Sequence, residues 1–414
     1  MSTNAAESVE DRPVHGQRDD IAAGHQEGRQ TANDDSRQRA WAYLSRVAGG
    51  PCAPLNALIA RVGAEEAARA VRTWDLPPAL RARTQARRHL DSAAADLETA
   101  HRLGGRLVTP DDPGWPAWRM LAFASLDYAN DVNNAAPLAL WVYGTLPISK
   151  LGDKAVAVVG ARAADSYGES VTADIVSDLA ADGWIVLSGA AFGIDAAAHR
   201  AALAAGTATV AVLACGMDVV YPAAHDRLLR DVAGSGLVVT EYPPGTAAAK
   251  HRFLARNRIV AGLSDGVLVV EAGRRSGARS TAKWARRLGR PAMAVPGPVG
   301  SAMSAGCHQL IRSGEAMLVS GAGEVIDEAG PLRIPAVAVE KARDTDALNG
   351  NELLVYEALL ASGSLSPGEL SVASGLPVGD VRAALPALEL AGFAILCEGG
   401  WRRVKRGRTS RKEG

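Results

Sequence analysis

Along the chain the apolar positions change period, and each change marks a different kind of structure. From about Gln38 to Leu103 they recur at helical spacing. Trp41, Leu44 and Val47 share one face, and Leu55, Leu58, Ile59 and Val62 share another at i, i+3, i+4 and i+7. Ala- and Arg-rich sequence continues to His101, which completes a small helical module. Between Gly104 and Gly152 the pattern is broken by Pro110, Pro113, Pro116, Pro137 and Pro147. This stretch reads as a connecting layer with short extended pieces such as Leu138–Tyr143. From Lys154 to about Asp327 short aliphatic runs alternate with helical stretches. The expected strands are Ala155–Val159, Ile185–Leu187, Thr209–Leu213, Leu237–Thr240, Gly266–Val270 and Met293–Val295. In Glu169–Asp182, between two of them, Val171, Ile175 and Leu179 line one helix face. Strands alternating with helices predict βαβ units in a parallel sheet. The strands are apolar throughout, as expected when helices cover both faces of a sheet.

A polar stretch, Ala338 to Asn351, precedes a final segment of different character. Leu353, Leu354, Tyr356, Leu359 and Leu360 predict one helix; Ser366-Pro-Gly-Glu-Leu370 opens a second, and Val381–Leu390 forms a third. Phe393–Cys397 and Trp401–Val404 could pair across Glu398-Gly-Gly400. Three helices and a hairpin are the layout of a winged helix. The fold expected is therefore α/β: an extended Rossmann-like parallel-sheet domain (104–335), flanked by a small N-terminal helical domain (38–103) and a C-terminal winged helix (351–406). Residues 336–350 would be a linker, and 407–414 a basic tail. Residues 1–37 are polar and nearly free of large apolar groups, so they cannot offset their ordering entropy by burial and are expected to be disordered.

Hydrophobic residues make up 48% of the 414 positions, ample for cores, and the formal net charge is zero. The charge is unevenly placed. Residues 1–37 carry eight acids and four bases, whereas Ala272–Gly314 contains eight bases and no acid. Seven more bases lie between Arg402 and Lys412. Local basic patches, rather than an average, are what phosphate meets. The four cysteines are scattered without a C-x-x-C pair, which suits neither a zinc site nor a disulfide framework. With no signal-peptide pattern and no run of about 20 apolar residues, a cytoplasmic protein without a membrane partner is expected.

Four segments could carry chemistry. The first βα turn, Val158-Val-Gly160-Ala-Arg162, would bring backbone close to a phosphate at Gly160 and supply a bidentate donor from Arg162. It also reads as a tight turn with a solvated arginine. It is not a G-x-G-x-x-G fingerprint, since Arg162 and Asp165 occupy the later glycine positions, so a nicotinamide or flavin cofactor is not expected. In Ser188-Gly-Ala-Ala-Phe-Gly193-Ile-Asp195-Ala-Ala-Ala-His199, Asp195 and His199 form either an acid–base pair or a helix cap bonded to a helix histidine. The third segment runs from Lys250 to Ser264. Lys250, Phe253, Arg256 and Asn257 cluster on its first turns, pairing cations for phosphate with a ring for bases. Alternatively Phe253 belongs to a core and the arginines decorate a surface. In the fourth, Glu271 to Ala282, Ser276, Ser280 and Thr281 stand where a helix opens after a strand.

The ordered series VVGAR, SYG, SGAAFGIDAAAH, GMDVVYP, EYPPG, FLARNRIVAGLS, VVEAGRRSG and AVPG resembles the DNA-processing protein A (DprA/Smf) family over about Lys154–Gly314. The flanking helical module and winged helix are similar to that family's flanks. The resemblance implies a Rossmann-like fold that binds single-stranded DNA without nucleotide hydrolysis, and so a protein that is not an enzyme and needs no cofactor. It also implies a homodimer that protects incoming strands and loads RecA recombinase onto them in natural transformation or recombination. Carried over residue by residue, it implies a phosphate pocket at Gly160, Arg162, Gly189 and Gly193. Strand contacts would come from Lys250, Phe253, Arg256, Asn257 and Arg258, with Ser276 and Gly277 beside them. Three positions depart from the family's usual residues: Arg279 adds a cation to the loop after Ser276, Leu254 replaces a frequent proline, and His308 stands where asparagine is usual.

Two other classes compete. Nucleotide-processing hydrolases on a related fold carry a P-G-G-x-G-T-x-x-E loop. The corresponding region, Glu271–Thr281, has no glutamate after its strand-end residue and places Arg279 there. A transcription factor with a ligand-sensing Rossmann-like domain would not need the basic residues of the central domain. The winged helix and the basic tail could contact either DNA or protein.

Overall fold

The computed structural model describes residues 34–127, 131, 134–152, 154–331 and 348–404. The chain divides into two compact units, Met1–Arg333 and Ile334–Gly414. The expected disorder of residues 1–33 and the basic tail 407–414 lie outside the described residues. Residues 34–37, expected to be disordered, are helical, with Asp35 held to Arg39 one turn on at 2.7 Å.

The first unit opens with a helical layer: α1 (34–48), α2 (Ala53–Val62), α3 (Ala64–Thr73), α4 (Pro78–Thr84) and α5 (Ala93–Arg102). A nine-stranded sheet follows, made of β1 (Gly105–Val108), β2 (Leu140–Gly144), β3 (Ala155–Val159), β4 (Ile185–Ser188), β5 (Thr209–Val212), β6 (Leu237–Thr240), β7 (Gly266–Val269), β8 (Ala292–Ala294) and β9 (Met317–Leu318). Its order is β1-β2-β6-β5-β4-β3-β7-β8-β9. The strands from β3 onward pair in parallel, while β1 with β2 and β2 with β6 are antiparallel. The stretch read as a connecting layer thus extends the sheet. Trp141 faces Thr240 across the β2–β6 pairing, a contact between segments far apart in sequence.

Helices α6 (Ala117–Met120), α7 (Ser166–Ala181), α8 (Ile194–Ala204), α9 (Asp226–Ser235), α10 (Lys250–Gly262), α11 (Ala278–Arg287), α12 (Ala305–Arg312) and α13 (Ala322–Ala329) complete the unit. The apolar runs resolve into two faces by strand alternation. From β3, Ala155, Ala157 and Val159 pack with Ile259 and Val260 of α10, with Leu263 just past its end, and with Trp284 of α11. Val156 and Val158 point the other way, against Ile175, Val176 and Leu179 of α7 and Ile326 of α13. The helical layer shares a core with the sheet edge: Trp41, Tyr43, Leu44 and Leu55 cluster with Leu107, Trp141 and Met217. Arg119 of α6 is wholly buried. It donates to both carboxylate oxygens of Asp265 at 3.2 and 3.0 Å, while Asp265 also accepts from the Ala155 amide at 2.9 Å.

The second unit comprises α14 (Gly350–Ala358), α15 (Pro367–Ser374), α16 (Val378–Leu390) and the hairpin β10 (Ala394–Cys397) with β11 (Gly400–Arg403). Asn349 and Ser366 each form a capping box, with Glu352 and Glu369, so two of the helix starts are written into the local sequence. Val355, Leu370, Val381, Leu385, Leu388 and Phe393 make its core.

Candidate nucleic-acid interface

Strand order reverses at β3, which lies between β4 and β7. In open parallel sheets, the crevice outside the carboxyl ends of the strands at such a reversal is where ligands bind. A cleft of about 790 Å³ opens there. Its walls are the turn after β3 (Gly160, Ala161, Arg162), Gly189 and Ala191 after β4, Tyr221, the amino end of α10, and Gly273, Arg275, Ser276 and Gly277 after β7.

Nine of the eleven residues named from sequence line this cleft: Gly160, Arg162, Gly189, Lys250, Phe253, Arg256, Asn257, Ser276 and Gly277. Arg162 and Lys250 are exposed, and with Arg275 they meet no carboxylate within ion-pair distance among the described residues. The Arg162 guanidinium lies over the half-buried Phe253 ring, 5.1 Å from its centroid. The Tyr221 ring, 42% exposed, lies 5.2 Å from Phe253 at a tilt of 49°. Helices α8, α10 and α11 all begin at the cleft without a side-chain cap. Their positive ends therefore favour anions there.

Two of the named residues are placed elsewhere. Gly193 caps α8 at φ 73°, a conformation that favours glycine, and a side chain there would strike the carbonyls of Ala161 and Arg162. It shapes the turn without lining the cleft. Arg258 does not reach the cleft at all. It is fully buried on the opposite side of α10 and ion-paired with Glu241, itself buried just past the end of β6. Burial pushes the Glu241 carboxyl up and the Arg258 charge opposes that shift. Arg258 is a structural cation, not a strand contact.

Arg256 reaches the cleft wall, but its guanidinium is also internal. It donates to the carbonyl oxygens of Gly189, at 2.8 Å, and Val212. Burial lowers its pKa, while the Asp195 carboxylate acts against that shift. A Cβ on Gly189 would collide with this guanidinium, so the glycine gives Arg256 its room. Asn257 donates to the Gly277 carbonyl at 3.5 Å and so links α10 to the loop after β7.

Asp195 and His199 do not form a pair. The buried Asp195 carboxylate accepts from the Ala191 amide at 3.3 Å, and the amides of Gly160 and Gly189 also stabilise its ionised form against the upward push of burial. The Gly160 amide, expected to face a phosphate at the first turn, thus already faces an internal carboxyl group. His199 is fully buried one turn further on. Thr209 donates its hydroxyl proton to the Val186 carbonyl at 2.7 Å, so it must accept at 2.8 Å from Nδ1–H of His199. Burial drives the His199 pKa down to about 3.

The departures from the family's usual residues settle as follows. Arg279 turns back to donate to the Arg274 carbonyl at 2.7 Å, and Leu254 lines the cleft at 50% exposure. His308 donates from Nε2 to the Gly297 carbonyl at 2.9 Å. Tyr221 and Arg275 were missed as cleft residues, although GMDVVYP and the acid-free basic run had drawn attention to their neighbourhoods. Among the described residues, no group of three or more His, Cys, Asp or Glu side chains could hold a metal, and no helix is long and apolar enough to cross a membrane.

The family model described as DNA recombination-mediator protein A matches residues 106–330. A putative DNA processing protein DprA of Mycobacterium tuberculosis is 48% identical over 376 residues, covering 90% of this chain and 96% of its own. Protein Smf of Escherichia coli is 34% identical over 326 residues, covering 77% of this chain and 82% of that one. The X-ray structure of DNA processing protein A from Streptococcus pneumoniae aligns at a TM-score of 0.56 and 30% identity, over 70% of this chain and 97% of that one. The motifs around the cleft, the sheet that carries them and these likenesses agree: the chain belongs to the DNA recombination-mediator protein A family.

Proposed function

We propose that the cleft binds single-stranded DNA by gripping phosphate and stacking bases, and that it does so without hydrolysing a nucleotide. The observation that carries this reading is an exposed guanidinium without a carboxylate partner, Arg162, laid over the aromatic ring of Phe253, with Lys250 one helical turn away. Cations beside an aromatic platform recognise a strand with little regard to sequence, because every base has a π face and every linkage a phosphate. The inward-facing Asp195 and the sealed, neutral His199 support a binder rather than a catalyst. The family's description as a recombination mediator supports the further step: a cytoplasmic homodimer that protects incoming strands and passes them to RecA recombinase. We read the second unit, with its three helices and hairpin, as a winged helix that assists by contacting a partner.

Titration of a fluorescent single-stranded oligonucleotide against a matched duplex, across a salt series, tests the cleft. The expected result is preference for the single strand, weakening with salt, and loss of most binding in the Arg162→Ala/Lys250→Ala double variant. Binding restricted to duplex, or untouched by the two substitutions, overturns the reading.

A further inference from the structure

One exposed aromatic ring beside the cleft has no part in the site described above. Phe192 directly follows Ala191, a cleft residue, and is 48% exposed. A ring left this open is ordinary in a mobile loop, but this loop is fixed at every step. Ala190, itself buried, takes the left-handed backbone conformation at φ 54°, and Gly193 follows at φ 73°. The Ala191 amide is bound by Asp195 at 3.3 Å. His225, only 2% exposed, bonds the Ala190 carbonyl through Nδ1 at 2.9 Å. The same imidazole then supports the Phe192 ring edge to face, with centroids 4.7 Å apart at 65°. A buried side chain thus holds both the backbone and the ring of an otherwise solvent-facing phenylalanine.

Rigidity of this kind reduces the ordering cost of binding. The chemistry presented is a bare π face next to a cleft lined by cations. His225 also lies four residues beyond Tyr221, so the segment that supports Phe192 is the one that carries the ring beside Phe253. We propose that Phe192 is a second stacking platform, taking a base of single-stranded nucleic acid that runs out of the Phe253 subsite past the end of β4. The proposal rests on the cleft being a single-strand site and adds to it the direction in which the strand leaves.

Oligothymidylates of increasing length, titrated against the full chain and against Phe192→Leu and Phe192→Tyr, test this. Leucine keeps apolar contact with His225 but removes the π face; tyrosine retains it. Wild type and Phe192→Tyr should gain affinity in a step once the oligomer is long enough to reach the second ring. Phe192→Leu should match them on short oligomers and lose the step, a deficit of about 5- to 150-fold, the worth of one base stacked on one ring. Melting temperatures of the variants check that the loop is intact. Equal binding by Phe192→Leu at every length overturns the second platform while leaving the cleft in place. Failure of wild type to bind even short oligomers overturns the cleft reading first, and the platform with it.

Discussion

The guanidinium carbon of Arg162 stands 5.1 Å above the centroid of the Phe253 ring, joining the turn after β3 to the first turns of α10. The two side chains should fail differently. Phe253→Ala should weaken single-strand binding by about 1–3 kcal/mol while leaving the salt dependence nearly unchanged, since no charge is lost. Arg162→Ala should lower the slope of log affinity against log salt by about 0.7, the value for one phosphate contact on a single strand. The pair should also couple by about 0.5–1 kcal/mol in a double-mutant cycle. Titrations of a labelled oligonucleotide at several salt concentrations measure all three quantities, and strict additivity would show that ring and guanidinium act separately.

Arg258 belongs to the interior, so its removal should damage folding rather than recognition. Arg258→Ala leaves Glu241 buried without its partner, which should cost about 3–5 kcal/mol of stability. Denaturant melts should show that loss, while affinity per folded molecule stays at the wild-type value. A stable variant with weakened binding would instead put Arg258 back among the strand contacts.

Glu271 should make the fold sensitive to mild alkali. It is fully buried where β7 ends, beside Asp165, whose amide it accepts at 3.3 Å. Burial first, and then the Asp165 charge, push its pKa up to about 7. A raised carboxyl pKa favours the protonated form in the folded state, so its contribution is present below about pH 4.5 and is lost as pH rises through 7. Glu271→Gln, which mimics the protonated form, should melt higher than wild type at pH 8, by about 2–4 °C for each kcal/mol relieved. The difference should vanish near pH 4, and a constant gap at all pH values would assign the effect to packing.

His199 acts in the opposite direction. Its pKa is depressed to about 3, so the stability it confers is complete above the ordinary value of 6.5 and falls as acid approaches 3. At pH 5 the loss should be about 2 kcal/mol, at about 1.4 kcal/mol per pH unit. His199→Asn can still donate to Thr209 but cannot titrate, so its melting temperature should change less between pH 7 and pH 5. An identical acid profile in the variant would move the titrating group elsewhere.

The sheet from β3 to β8 was legible because its strands are uniformly apolar and separated by helix-length segments. The cleft was legible because glycines and cations crowd the ends of those strands. What stayed hidden depended on distant partners. β1 is short and lies among prolines, and the extended piece read at Leu138–Tyr143 reveals its place in the sheet only by pairing, β2 with a strand nearly a hundred residues later. Arg258 reads as a surface cation until Glu241 is found opposite it, just past the end of β6. Asp195 could be read as half of an acid–base pair or as a helix cap because it precedes His199 by one turn, yet its partners are amides from the turns after β3 and β4. The helical layer looked separable by composition, whereas Trp41 and Leu44 share their core with Trp141.

The carboxylate of Asp195 has one more consequence. Held by the amides of Gly160 and Gly189, it occupies donors that the phosphate of a free nucleotide would otherwise use. A mononucleotide offers one phosphate cluster and finds those donors already engaged. A polymer distributes its charge and its bases along the cleft and does not depend on any one position. An excess of mononucleotide should therefore displace a single-stranded oligonucleotide from the cleft only poorly.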